Sequence, residues 1–268
     1  LKKVLALSLA IIAVVFAAGC GSGGSPKQEE KVLKVGVTSG PHAEILDQVK
    51  KVAERDGLKI EIVEFNDYVQ PNAALDQGEI DANAFQHQPF LDNHVKDRGY
   101  KLASIAKTVI LPMGIYSDKV KKLDELKEGA SVAIPNDPSN AGRALLLLHQ
   151  AGLIKLKPGA GADATVLDIV DNPKKLKIKE LEAALIPRAI ADMDIAAINT
   201  SYAIKAGLVP ARDGLALENA SSPYANVLVV REKDKEKPVF QKLIKAYHSE
   251  DIKKYLIEHF NGSILPAW

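Results

Sequence analysis

Asn140 and Arg143 stand three positions apart at the start of a predicted helix, just after the apolar strand Val132-Ala133-Ile134 and the turn Pro135-Asn136-Asp137-Pro138. That spacing puts both on one helix face. A helix N-terminus leaves backbone N–H groups unpaired and carries partial positive charge. A guanidinium adds a planar fork that matches a carboxylate. The combination suits capture of a carboxylate. The helix continues as Ala144-Leu145-Leu146-Leu147-Leu148, apolar all round, which sets Arg143 at the mouth of a buried element; the alternative is an arginine solvated at the surface. Phe85-Gln86-His87-Gln88-Pro89-Phe90 follows another predicted strand, and the chain has only six Phe. Phe85 and Phe90 suit the wall of an apolar pocket, where aromatic rings also contact thioether sulfur favourably; the competing reading makes both of them core. Tyr68 follows a strand ending at Phe65 and combines a ring with a hydroxyl. Asn199 follows the strand Ile195–Ile198, and Asn226 stands where the chain crosses back between two halves. An amide offers oxygen to an ammonium or NH₂ to a carboxylate, although each of these residues taken singly reads first as a turn residue.

The elements that would position these groups alternate in type. Residues 32–37 and 58–65 read as strands, 42–55 as a helix ending at Gly57, and 68–77 as a short helix closed by Gly78. A strand over 80–85, a helix over 89–96 and a long bent stretch over 102–116, broken by Pro112 and Gly114, follow. The pattern then restarts, with a strand at 132–134, a helix over 139–150, a strand at 165–169, a helix over 178–191 and strands at 195–198 and 226–230. Helices over 238–260, with a polar break at Ser249-Glu250-Asp251, close the chain. Alternation of this kind predicts an α/β protein with parallel sheets. Two series predict two lobes, with lobe 1 spanning 32–112 plus 226–268 and lobe 2 spanning 113–225. Ligands of open α/β sheets lie beyond the carboxyl ends of the strands, so facing lobes would enclose a cleft lined by the residues above.

Several classes of function are disfavoured. The formal charge of +1 offers no basic field for nucleic acid. There is no G-x-S-x-G, P-loop or G-x-G-x-x-G after a strand, so no catalytic constellation emerges and an enzyme is not expected. His42, His87 and His94 fit no structural zinc spacing, and neither a metal nor a cofactor is expected.

The first residues read as an address. Lys2-Lys3 precede an apolar run of fifteen residues, 4–18, broken only by Ser8; such a run is short of the roughly 20 needed to span a bilayer and suits a signal peptide over 1–19. Ala17-Ala18-Gly19-Cys20 resembles the lipobox of bacterial lipoproteins, with Ala17 where Leu is usual. The resemblance implies that Cys20, the only cysteine, becomes a lipidated N-terminus carrying acyl groups such as palmitate. The Gly/Ser-rich stretch over 20–31 reads as a flexible tether.

Segments in order along the rest of the chain are similar to the NlpA-type methionine-binding lipoproteins of bacterial ABC importers. They are Lys34-Val35-Gly36-Val37, Pro41-His42-Ala43-Glu44-Ile45-Leu46, Phe65-Asn66-Asp67-Tyr68-Val69-Gln70-Pro71-Asn72, and Leu75-Asp76-Gln77-Gly78-Glu79-Ile80-Asp81-Ala82-Asn83. Phe85-Gln86-His87-Gln88-Pro89-Phe90-Leu91, Pro135-Asn136-Asp137-Pro138-Ser139-Asn140-Ala141-Gly142-Arg143-Ala144-Leu145 and Ala197-Ile198-Asn199 continue the match. Met193 and Ser39-Gly40 depart from the family pattern. The resemblance implies a two-lobed periplasmic-binding-protein fold, type II-like, held on the extracytoplasmic side of the cell membrane by its lipid. It implies a methionine side-chain pocket lined by Tyr68, Phe85 and His87, a carboxylate gripped by Arg143, and a head group bonded by Asn140, Asn199 and Asn226. The implied partners are the permease and ATP-binding subunits of an ABC importer. The alternatives are a binding protein for another apolar amino acid or a methionine-containing dipeptide, and then an enzyme or a structural lipoprotein.

Overall fold

The computed structural model describes residues 32–219 and 223–268. Cys20 and the segments read as signal peptide and tether lie outside the described residues. The first series runs β1 (Leu33–Thr38), α1 (Pro41–Arg55), β2 (Ile60–Phe65), α2 (Gln70–Gln77), β3 (Ala82–His87), α3 (Gln88–Arg98) and β4 (Leu102–Lys107). After β5 (Val109–Ile110) the second series runs β6 (Gly114–Tyr116), β7 (Ser131–Pro135), α4 (Pro138–Gln150), β8 (Lys155–Leu156), β9 (Ile169–Asp171), β10 (Lys177–Leu181) and α5 (Ile186–Ala189). It continues with β11 (Ile195–Ile198), α6 (Thr200–Lys205), α7 (Pro210–Asp213) and β12 (Ala216–Leu217). The chain then returns as β13 (Asn226–Arg231), followed by α8 (Pro238–Tyr247), α9 (Glu250–Phe260) and β14 (Leu265–Pro266).

Two five-stranded sheets result, ordered β2-β1-β3-β13-β4 and β10-β7-β11-β6-β12. Their plans correspond. In each, the second strand in the order pairs in parallel with both neighbours, and the fourth runs antiparallel to the third. One sheet is thus drawn from the start and the end of the chain and the other from its middle, giving two lobes joined by two crossovers, β5 to β6 and β12 to β13.

Side-chain alternation places a core on each face of each sheet. In β13, Leu228 and Val230 enter the cluster that α1, α8 and α9 cover, while Val227 and Val229 enter the one with Leu75 of α2 and Leu91 of α3. In β11, Ile195 and Ala197 face α4, whereas Ala196 and Ile198 face Ile186 and Tyr202. Proline at the first or second position starts α1 through α5, α7 and α8, where its missing N–H costs nothing.

Two sequence expectations are corrected. The helix expected over 178–191 is the strand β10 followed by the short helix α5. Ile178 and Leu181, three apart, mimic a helical face, but as strand residues they point to opposite sides and pack into different cores. The strand expected at 165–169 is a 3₁₀ turn, Val166–Asp168, leading into β9. There the Asp168 carboxylate accepts the Thr165 backbone N–H at 2.7 Å and closes the turn. The strand read at 80–85 lies two residues later as β3, which brings His87 to its last position.

Gly142 lies inside α4 where the helix touches the backbone of 162–164. A Cβ there would stand 2.1 Å from the Ala162 carbonyl oxygen. In an open helix Gly→Ala stabilises by roughly 0.5–1 kcal/mol. Here backbone blocks the methyl, so Gly142→Ala should instead destabilise by about 1–3 kcal/mol. Urea unfolding checks the sign, and a raised midpoint would contradict the close approach.

Candidate functional site

The seven residues singled out for ligand binding, Tyr68, Phe85, His87, Asn140, Arg143, Asn199 and Asn226, all line one cavity of about 330 Å³ between the lobes. Local structure explains the convergence. Phe85 and His87 occupy alternate positions at the carboxyl end of β3, so they share a side. Asn140 and Arg143 lie in α4, which Asp137 caps by accepting the Asn140 backbone N–H at 3.0 Å. Asn199 stands at the N-cap position of α6, just after β11, without a side-chain capping bond, and Asn226 opens β13. Tyr68 sits between β2 and α2. Each therefore lies at or just past a strand end, or in the opening turns of a helix or strand, at the inter-lobe ends of the sheets.

The aromatic wall is built from mutual ring contacts. Tyr68 lies 5.9 Å from both Phe85 and Phe90, which meet each other edge-on at 6.0 Å. Across the cleft Tyr68 packs on Tyr202 at 4.7 Å, and its hydroxyl bonds Ser201 Oγ at 2.7 Å. Burial raises the Tyr68 phenol pKa, so it stays protonated.

The polar wall is a directed network. Asp137 accepts both bonds of the Asn140 amide NH₂, at 3.0 Å each, which turns Asn140 Oδ1 toward His87 and Asn199. That oxygen accepts Asn199 Nδ2 at 2.8 Å and pairs with His87 Nε2 at 3.1 Å. His87 Nδ1 accepts the Phe90 backbone N–H at 3.2 Å, so the ring proton belongs on Nε2. Burial, with the Arg143 charge beside it, pushes the His87 pKa down to about 3, and the ring is neutral near pH 7. His42 behaves alike. Its Nε2 accepts Asn226 Nδ2 at 2.9 Å, its Nδ1 bonds Thr38 Oγ1 at 2.8 Å, and burial lowers its pKa to about 4. Asn226 Nδ2 also donates to the Phe85 carbonyl at 3.1 Å. Asn199 Oδ1 is buried without a hydrogen-bond partner among the described residues, an acceptor left for a ligand donor.

Arg143 is 3% exposed. Its Nε donates to both oxygens of Glu218 at 3.0 and 3.1 Å, and Nη2 donates to Glu218 and to the Leu111 carbonyl at 2.9 Å. The Tyr224 ring lies 4.5 Å from the guanidinium carbon. Nη1 donates to no protein group among the described residues.

Sequence reading did not single out His42, Gln86, Leu111, Thr200 and Ser201, which complete the lining, and it left Phe90 between core and pocket. Gln86 had one available signal, since it lies inside the Phe85-to-Leu91 segment that resembles the family. Glu218 had none, because it follows a two-residue strand without periodicity. Among the described residues, no group of three or more His, Cys, Asp or Glu is placed to hold a metal ion, and no helix is long and apolar enough to cross a membrane.

The NlpA lipoprotein family model matches residues 33–268. The chain is 49% identical over 269 residues, 99% of this chain and 98% of the other, to the D-methionine-binding lipoprotein MetQ of Salmonella typhimurium strain LT2. Among solved structures it is similar to a nutrient binding protein from Burkholderia cenocepacia bound to methionine, with a TM-score of 0.86 and 55% identity, covering 88% of this chain and 100% of that one. A periplasmic substrate-binding protein of an ABC transporter from Coxiella burnetii matches with a TM-score of 0.86 and 49% identity over the same shares. The two-lobed fold read from strand–helix alternation is thus shared with substrate-binding proteins, and the chain belongs to the NlpA lipoprotein family.

Proposed function

We propose that this protein binds methionine in the cavity between its lobes and delivers it to an ABC importer, held at the extracytoplasmic face of the membrane by lipid on Cys20. The observation that carries the reading is the meeting of an aromatic wall and a buried arginine in one small inter-lobe cavity, in a chain 55% identical to a protein solved with methionine bound. Arg143 takes the ligand carboxylate through its uncommitted Nη1. Asn199 Oδ1 accepts from the ammonium, beside Asn140 and Asn226. The thioether lies among Tyr68, Phe85 and Phe90, where selection comes from shape and soft contacts. His87, neutral and with its Nε2 proton directed at Asn140, closes the pocket without presenting charge. The task is capture, and the polar groups are spent on holding one another in place. The lobes divide at 112/113 and 225/226, so ligand binding seals the cleft between two bodies joined by two crossovers.

The reading is tested by titrating the purified protein with methionine, norleucine and glutamate. Methionine should bind best. Norleucine should lose only the sulfur–aromatic contact, about 0.3–1.5 kcal/mol. Glutamate should bind far worse, because its side chain would shed water with no partner. Phe85→Ala should weaken methionine and norleucine together. Equal affinity for glutamate and methionine contradicts the apolar pocket.

Arg143→Ala should weaken methionine binding by roughly 3–5 kcal/mol and also lower stability, because Glu218 is left buried without its charged partner. Arg143→Lys should restore only part of the affinity, since a point charge cannot hold Glu218 and a ligand together. Calorimetry and urea unfolding read the two effects separately, and near wild-type affinity in Arg143→Ala removes it as the clamp.

Cys20→Ser should release the processed protein from membranes or block its processing, because stable anchoring needs at least two acyl chains. Fractionation followed by mass analysis checks this. Undiminished membrane retention of a cleaved Cys20→Ser protein would refute the anchor.

A further inference from the structure

Arg143 brings a cation to the cavity wall, yet that cation is already balanced. Glu218, just past β12, lies against it with both side chains buried, 4% and 9% exposed. The carboxylate accepts from Nε and Nη2 of Arg143 and, at 3.1 Å, from the Met113 backbone N–H. A second carboxylate, Asp137, stands behind Asn140 and accepts its amide and backbone N–H groups. The histidines of the wall, His42 and His87, spend both ring nitrogens on hydrogen bonds to neutral groups. Among the described residues, the wall thus carries no surplus positive charge before any ligand arrives. A buried site of this kind accepts a ligand whose own charges cancel, whereas an anion would leave one charge uncompensated in a medium of low dielectric.

We propose that Glu218 is a specificity-determining residue that makes the cavity select zwitterions over simple carboxylates. By balancing Arg143, it admits a ligand carboxylate only when an ammonium accompanies it. The proposal rests on the reading of this cavity as an amino-acid site, and it adds the origin of the demand for the amino group. Hydrogen-bond acceptors such as Asn199 Oδ1 recognise the ammonium locally; Glu218 sets the charge that the whole ligand must carry.

The test uses calorimetric titration of the full protein with methionine and with 4-(methylthio)butanoate, the same molecule without its amino group. Wild type should favour methionine. Glu218→Gln keeps size and an acceptor oxygen but removes the charge, and the preference for methionine should fall by about ten-fold or more, since one unit of positive charge is then uncompensated near the ligand. Glu218→Asp keeps the charge and should keep the preference, which separates charge from packing. A Glu218 that only supports the fold would weaken both ligands by one factor and leave their ratio unchanged. That result overturns the proposal while methionine binding stands. So does wild-type protein that takes the two ligands equally, a comparison that needs no variant to fold. Wild-type protein that binds no methionine overturns the reading and the proposal together.

Discussion

A guanidinium buried at the mouth of an apolar helix is the constraint around which the two lobes are arranged. Helix α4 buries nearly every residue from Ser139 to Leu148, so Arg143 has no water in which to leave its charge. Its partners come from both crossovers. The Leu111 carbonyl belongs to the passage from β5 to β6, and Glu218 begins the passage from β12 to β13. Glu218 also takes the Met113 N–H, and its own N–H donates to the Met113 carbonyl at 2.9 Å. The two connections between the lobes are thus tied to each other and to the same side chain. A ligand that touches Arg143 therefore touches the group on which both connections converge.

The remaining polar groups of the site follow from a second constraint, that buried donors and acceptors need partners. Asp137 fixes the Asn140 amide, Asn140 fixes His87 and Asn199, and His87 in turn caps α3. Behind the aromatic wall a set of amides does the same for β3. Asn72 Nδ2 donates to Gln86 at 2.8 Å, Gln86 Nε2 donates to Asn83 at 2.9 Å, and Asn83 Nδ2 donates to Asn72 at 2.9 Å, all fully buried or nearly so. A satisfied network of this type is rigid because no member can turn without orphaning another. The pocket side chains are held in part by groups outside the cavity lining, Asp137 behind Asn140 and Asn72 and Asn83 behind Gln86.

Much of this was legible from residue patterns, for physical reasons that differ between elements. Strands β1, β7, β11 and β13 are short apolar runs next to turn residues, and their alternation with helices implied two sheets. Most of the candidate site residues were legible because ligands gather beyond strand ends, a rule that needs only the strands; the pocket role of His87 came from the family resemblance alone. Ile178 and Leu181 misled because a spacing of three fits a helix face as well as two faces of an edge strand. Glu218 and Ser201 could not be found in this way. Their importance lies in meeting Arg143 and Tyr68 across the fold, 75 and 133 positions away, and periodicity carries no such information. The Arg143 position was legible, but its carboxylate partner was expected from a ligand alone.

Strand β13 sits between β3 and β4, although its Asn226 reaches a Phe85 carbonyl 141 positions earlier. The last residues pair with β5 as well, through β14, and Ala267 N–H bonds the Thr108 carbonyl. The second sheet has no such debt to the chain end, since all five of its strands fall between Gly114 and Leu217. Synthesis therefore delivers the two halves out of order. The middle of the chain can complete its sheet while the opening segment waits with a gap where β13 belongs, its β3 and β4 edges unpaired until the carboxyl terminus emerges. Pairings of such long sequence separation form slowly. The half of the molecule made first is thus the half that finishes last.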